Sequence, residues 1–153
     1  MTEPKTTLTP FLGRYVYGVD SARRVMFPSA WRPKDRNTVF MAMVWPLHKQ
    51  ECLVVLPPSA WQAVVAKIVA GELSNEEAAI LERTVASTSA ELRFDRFWRL
   101  TLPEPLMTAV GITNQVQFVG RLNKFELWAP DRFQTAATMD RLAAAETARR
   151  LGI

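Results

Sequence analysis

The sequence predicts an α+β fold, mostly β with flanking helices, in which one half-size unit occurs twice around a shared core. The first observation behind this is a repeated frame. Asp20-Ser-Ala-Arg-Arg24-Val-Met-Phe-Pro28 and, 75 positions later, Asp95-Arg-Phe-Trp-Arg99-Leu-Thr-Leu-Pro103 both read Asp-x3-Arg-apolar-x-apolar-Pro. The second is that the likeness runs on past the frame. Thr38 to Trp45, Cys52-Leu-Val-Val-Leu56 and Pro57-Pro58-Ser-Ala-Trp61 correspond to Gln115-Val-Gln-Phe-Val119, Lys124-Phe-Glu-Leu-Trp128 and Ala-Pro130-Asp-Arg-Phe133. The third is size: 153 residues, 48% apolar and 22% charged, amount to one domain with enough material for a core.

Residues 1–10, polar with two prolines, read as a loose N-terminal segment. Short strands rich in β-branched and aromatic residues then follow: Gly13 to Val19, Arg24 to Phe27, Val39 to Trp45, Leu53 to Leu56, Glu91 to Phe94, Leu100 to Leu102, Gln115 to Val119 and Phe125 to Trp128. Apolar side chains alternate strictly in Gln115-Val-Gln-Phe, the period-2 mark of a sheet with one buried face. Pro28 and Pro103 stop the strands they follow, because proline lacks a ladder donor. A brief helix is expected after each of these prolines. Eight short strands with few helices point to a barrel with helices packed outside.

Trp61, Val64, Val65 and Ile68 fall at i, i+3, i+4, i+7, which predicts an amphipathic helix with Ser59 as its N-cap and Gly71 at its end. Ser74-Asn-Glu-Glu77 has capping-box spacing, so a second helix starts at Asn75 and ends before Ser87-Thr-Ser89. A third runs from Asp131 toward Arg149. The organisation is therefore a first repeat over 11–70, a connecting helix over 71–90, and a second repeat with its C-terminal helix over 91–153.

The net charge of +4 is unevenly placed. Residues 13–36 hold Arg14, Arg23, Arg24, Arg32, Lys34 and Arg36 against Asp20 and Asp35, equal to the excess of the whole chain. Such a basic segment on a turn suits phosphate contact. The single cysteine, Cys52, excludes an internal disulfide, and the N-terminus lacks the plan of a secretory signal. With no apolar run near the roughly 20 residues of a membrane span, the expectation is a soluble, cytoplasmic protein with no membrane contact. His48 and Cys52 are too few for a zinc site and lack a third group to orient them as a nucleophile pair. There is no glycine loop to cradle a phosphate. Neither an enzyme nor a cofactor is expected.

An aspartate four residues before an arginine, across a tight turn, can accept the turn amides and hold the guanidinium in one pose. A guanidinium so held can grip a phosphate or the O6/N7 edge of guanine. The same pattern also serves as an ion pair that merely closes a turn, and the second pair, with Phe97-Trp98 to bury, fits that reading better. Trp98 offers either a stacking platform for a base or a packing surface. Trp61, Trp128 and Phe133 lie at matching strand-to-helix corners and read as core. Lys124 and Glu126 alternate with Phe125 and Leu127 and face away from it.

Phe118-Val-Gly-Arg-Leu-Asn-Lys-Phe-Glu-Leu-Trp128 and the two Asp-x3-Arg frames resemble the MraZ family of bacterial transcriptional regulators, over the chain from Phe11 onward. The resemblance implies a duplicated AbrB-like swapped-hairpin β-barrel. It implies a regulator of the division and cell-wall gene cluster that binds double-stranded DNA as a homo-oligomeric ring on repeated promoter boxes, associated with the nucleoid. Carried over by residue, Asp20 and Arg24 match the first motif, and Asp95 and Arg99 the second. The position before each arginine, glycine in the family, holds Arg23 and Trp98 here. Arg14, Arg23 and Arg96 are the further candidates for the DNA surface, with Arg32, Lys34 and Arg36 extending the basic patch of the first turn. The other readings are a diverged interaction or scaffold protein that no longer reads promoters, and an AbrB-like antitoxin.

Overall fold

The structure, a computed structural model, describes residues 10–44 and 52–153. His48, and the strand end expected at Trp45, lie outside the described residues. Eight strands and four α-helices follow in the order β1 (Arg14–Gly18), β2 (Arg24–Met26), β3 (Val39–Val44), β4 (Cys52–Leu56), α1 (Pro58–Ala70), α2 (Asn75–Ser87), β5 (Ser89–Arg93), β6 (Arg99–Thr101), α3 (Glu104–Val110), β7 (Gln115–Gly120), β8 (Phe125–Trp128) and α4 (Pro130–Leu151). The α+β class is as expected.

Six strands form one antiparallel sheet in the order β1-β7-β8-β4-β3-β5, and β2 pairs with β6 in a separate ribbon. The six-strand order maps onto its own reverse when the two copies are exchanged. Each copy gives its first strand to the other: β1 lies on β7, and β5 on β3. The halves of the sequence are thus interleaved in space. Strand pairing among the described residues runs from β1 to β5 without joining the two edges, and the β2–β6 ribbon packs on the sheet.

The ribbon carries the dyad between the copies. Val25 faces Leu100, its own counterpart in the other copy, and Arg24↔Thr101 mirrors Met26↔Arg99. The flanking bonds repeat the symmetry, with the Phe27 N–H donating to the Trp98 carbonyl at 3.1 Å and the Leu102 N–H to the Arg23 carbonyl at 2.8 Å. Val25 and Leu100 point into the main core with Phe27, Phe40, Phe118, Phe125 and Trp31. Phe27 and Phe125 meet ring to ring at 5.6 Å.

A smaller cluster on the other face of the sheet seats Met43, Val54 and Leu56 against Trp61, Val64, Ile68, Leu81 and Val85, so α1 and α2 pack outside as a helical hairpin. The α2 capping box is present, with the Ser74 hydroxyl accepting from the Glu77 amide at 3.1 Å and Glu77 accepting from the Ser74 amide at 3.0 Å. Helix α1 begins two residues earlier than the Ser59 cap predicts. Pro58 takes its first position, where a missing N–H costs nothing. Trp128 and Phe133 are buried as expected.

Three local expectations are corrected. After Pro28 the first copy forms only a 3-10 turn, Ser29–Trp31, because Arg32 precedes Pro33 and is driven to extended backbone. Its counterpart α3 runs seven residues and closes on Gly111 in the left-handed region. Gln117, expected to face solvent, is 6% exposed; α4 packs on β7. Glu126 is not a plain solvent residue either, since it accepts from the Trp128 indole at 2.8 Å and from Arg121 at 3.2 Å. Gly120 is required by close approach: a Cβ there would meet the Phe11 carbonyl, its carbon 2.7 Å away, where residues 11–13 cross the β7–β8 end.

Candidate functional site

Both Asp-x3-Arg frames form the same turn, and the aspartate builds it. In the first, one Asp20 carboxylate oxygen accepts from the amides of Ala22 at 2.9 Å and Arg24 at 2.8 Å. In the second, Asp95 accepts from Phe97 at 2.8 Å and Arg99 at 3.0 Å. The backbone closes around these bonds, with Asp20 N–H donating to the Arg24 carbonyl and Arg23 N–H to the Asp20 carbonyl, and the same for Asp95, Arg99 and Trp98. This is a tight turn closed by its own backbone bonds, with a left-handed residue at its exit. The other carboxylate oxygen takes the arginine Nε, at 2.8 Å in both turns. Among the described residues the Nη pair of each guanidinium makes no further hydrogen bond.

The left-handed residues are Arg23, φ 63°, and Trp98, φ 62°. A side chain at this position strains the turn, at about 1–2 kcal/mol for an L residue in this region. The Asp-centred bonds and the interleaved ribbon hold it there. Asp20 is kept below the ordinary carboxylate range chiefly by the Arg24 amide, with the Arg24 guanidinium and the Ala22 amide adding to this against a desolvation that raises it. For Asp95 desolvation is the largest influence and pushes upward, but the amides of Arg99 and Phe97 and the Arg99 guanidinium together outweigh it, so its pKa is also lowered.

Because the turns lie at opposite ends of a two-stranded ribbon, they share one surface. Alternation sends Val25 and Leu100 inward and leaves Arg24, Met26, Arg99 and Thr101 on the outer face. Arg24 and Arg99 are diagonal neighbours across the dyad, about 7–8 Å apart at Cα by ladder geometry. Asp20, Arg23, Arg24, Asp95, Arg96 and Arg99 are thus brought together. Met26 and Thr101 belong to the same face, and sequence reasoning missed them because the β2–β6 pairing joins residues 75 apart.

Arg14 is not brought to this face. It opens β1 at the end away from the turn and places its guanidinium 5.7 Å from the Phe133 ring of α4. Arg32 and Arg36, expected to extend the first turn's patch, lie instead at the second. Their guanidiniums stand 5.3 Å and 4.8 Å from the Trp98 ring centre, and Arg36 donates to the Arg96 carbonyl at 2.9 Å. Residues 28–38 cross from one turn to the other because the copies interleave. Trp98 is accordingly a packing surface inside the chain, half-buried against Phe94 and the two arginines. Arg96 and Arg99 flank the exposed Phe97 ring at 4.9 Å and 5.0 Å.

Among the described residues no three of His, Cys, Asp and Glu gather as metal ligands, and no helix is long and apolar enough to cross a membrane.

Residues 86–152 match the family model described as "MraZ protein, putative antitoxin-like". The transcriptional regulator MraZ of Rickettsia felis is 31% identical over 125 residues, 81% of this chain and 84% of that protein. The transcriptional regulator MraZ of Clostridium tetani is 27% identical over 145 residues, 94% of this chain and 99% of that protein. The protein of the same name from Roseiflexus sp. strain RS-1 is 27% identical over 124 residues, 81% of this chain.

Proposed function

The chain belongs to the MraZ family, and we propose that it is a cytoplasmic, nucleoid-associated transcriptional regulator that reads double-stranded DNA through the outer face of the β2–β6 ribbon. The observation that carries this is the pair of fixed guanidiniums, Arg24 and Arg99, set across the dyad with Nε committed to an aspartate and the Nη groups left over. A two-stranded ribbon fits the major groove, about 12 Å wide, and an oriented arginine is the usual partner of guanine O6 and N7. Thr101 and Met26 between them supply an apolar contact of the kind a thymine methyl takes.

One such face spans few base pairs. Affinity then comes from several subunits of a homo-oligomeric ring presenting copies of the face at fixed spacing to repeated promoter boxes of the division and cell-wall genes. No chemistry on a substrate is involved. Arg24→Ala removes the guanidinium from the more open turn, where 41% of the side chain is exposed against 26% for Arg99. Specific binding weakens by about 1–3 kcal/mol and base preference relaxes. A band-shift titration at fixed salt, with a repeat-containing promoter and a scrambled duplex, checks this; unchanged affinity and preference would remove Arg24 from the reading surface.

A second reading, an antitoxin-like role, is favoured by the description of the matching family model and by α4. Beyond Ala137 that helix exposes Met139, Leu142 and Leu151. Co-purification with a small protein that inhibits growth, lost on replacing Met139 and Leu142 by serine, would support it.

A further inference from the structure

We infer that the second turn carries a phosphodiester-binding site completed by the first copy, in which Arg32 and Arg36 act with Arg96, beside the base-reading Arg99. Four guanidiniums converge there on two rings: Arg32 and Arg36 on Trp98, Arg96 and Arg99 on Phe97. Only Arg99 has a carboxylate partner among the described residues. The acids nearby are occupied elsewhere, since Asp35 accepts from the Asn37 amide at 2.8 Å and Glu91 pairs with Arg93 at 2.8 Å. Three exposed cations held by aromatic faces rather than by acids leave an uncompensated positive surface beside the DNA-reading face. A cation over a ring keeps its charge and is held in place. That suits a polyanionic backbone, which rewards each fixed cation with a released counterion.

The arrangement is one-sided. The copy-two counterparts of Arg32 and Arg36, at the same 75-residue offset, are Met107 and Gly111, and Met107 is buried. At these two positions, then, the second copy has no guanidinium to offer the first turn. Trp98 is what gives Arg32 and Arg36 a seat. The site positions the complex on the backbone, and the dyad face reads the bases.

This inference rests on the DNA-binding reading, and the test separates the two. The logarithm of affinity is measured against the logarithm of salt concentration for the wild type, for Arg32→Gln/Arg36→Gln and for Arg32→Lys/Arg36→Lys, on promoter and on scrambled duplex. The glutamine pair is expected to flatten the salt slope by about two, roughly one per arginine, and to weaken both duplexes by a similar factor, leaving the preference between them intact. The lysine pair, which keeps both charges, retains the wild-type slope; its thermal unfolding shows that the surface still folds. An unchanged slope in the glutamine pair, or a collapse of preference at constant slope, overturns the site while the regulator reading stands. Salt-dependent binding by the wild type with no promoter preference overturns the regulator reading and leaves the site. A wild type that binds neither duplex overturns both.

Discussion

The two turns share their bonds and differ in everything around those bonds. Asp20 and Asp95 accept the same amides, anchor the same Nε and force the same left-handed residue. Around the first stand Arg23 and Arg24 against Asp20, open to solvent. Around the second stand Arg93, Arg96, Arg99, Arg32 and Arg36, with two aromatic rings, against Asp95 and Glu91. Turn amides with no helix or sheet partner need an acceptor, so the aspartate is fixed by the backbone itself. What the turn displays is free to change. A duplicated motif can thus keep one scaffold and divide its work: under the proposed reading both arginines face the bases, and the second turn alone adds a hold on the backbone.

The strongest test of the shared scaffold lies on the dyad. Leu100 is fully buried opposite Val25, and truncation to alanine costs about 2–5 kcal/mol through lost transfer energy and the cavity left behind. Val25→Ala, two methyl groups smaller, costs about 1.5–2.5 kcal/mol. Both are read by thermal or denaturant unfolding. Because each residue supports both strands of the ribbon, amide exchange should quicken at Ala22 and at Phe97 alike. Faster exchange at one turn alone would show that the turns are held separately and would break the comparison at its root.

The left-handed positions sharpen the contrast through opposite signs. Trp98→Gly relieves backbone strain but removes a ring packed on Phe94 and seated under two guanidiniums, for a net loss of about 2 kcal/mol. Arg23→Gly relieves the same strain and loses one bond from its Nε to the Leu102 carbonyl, 3.0 Å, so stability is held or rises by up to about 1 kcal/mol. Melting temperatures of the two variants settle the matter. Equal shifts would mean that Trp98 contributes no packing.

These residues also mark how far the sequence carries. The strands, the capping box of α2 and the buried corners at Trp128 and Phe133 follow from local period and chemistry, and the structure has them. The Asp-x3-Arg turns were legible because their bonds span at most four residues. The exchange of first strands and the β2–β6 dyad were not deducible from periodicity, since partners 46 to 105 residues apart leave no local trace. Charge placement failed for the same reason. Arg32 and Arg36 are near Arg24 in sequence, yet the interleaving delivers them to Trp98, and Arg14, at the start of a five-residue strand, ends against α4. The length of α3 against the 3-10 turn after Pro28 was legible in principle, in Pro33.

Acid tests the bonds that the two turns share. Both aspartates titrate in the folded protein below their ordinary value of 3.8, so both favour folding at neutral pH. That contribution is complete above the unfolded value and is lost as pH falls through the folded ones, where protonation removes the acceptor that the turn amides and the Nε require. Unfolding should therefore become easier only in acid below about 3.8, with no loss from these groups between pH 5 and 8. Desolvation is the largest influence on Asp95, whereas for Asp20 it is the Arg24 amide, so the two turns set the same bonds against different opposition. The amide shifts of Phe97 and Ala22, followed by NMR, report the two events at their bonds. A midpoint above the ordinary value at either residue would mean that its turn bonds do not outweigh the cost of desolvating the charge. Ala22 moving before Phe97 would place the tighter turn on the second copy.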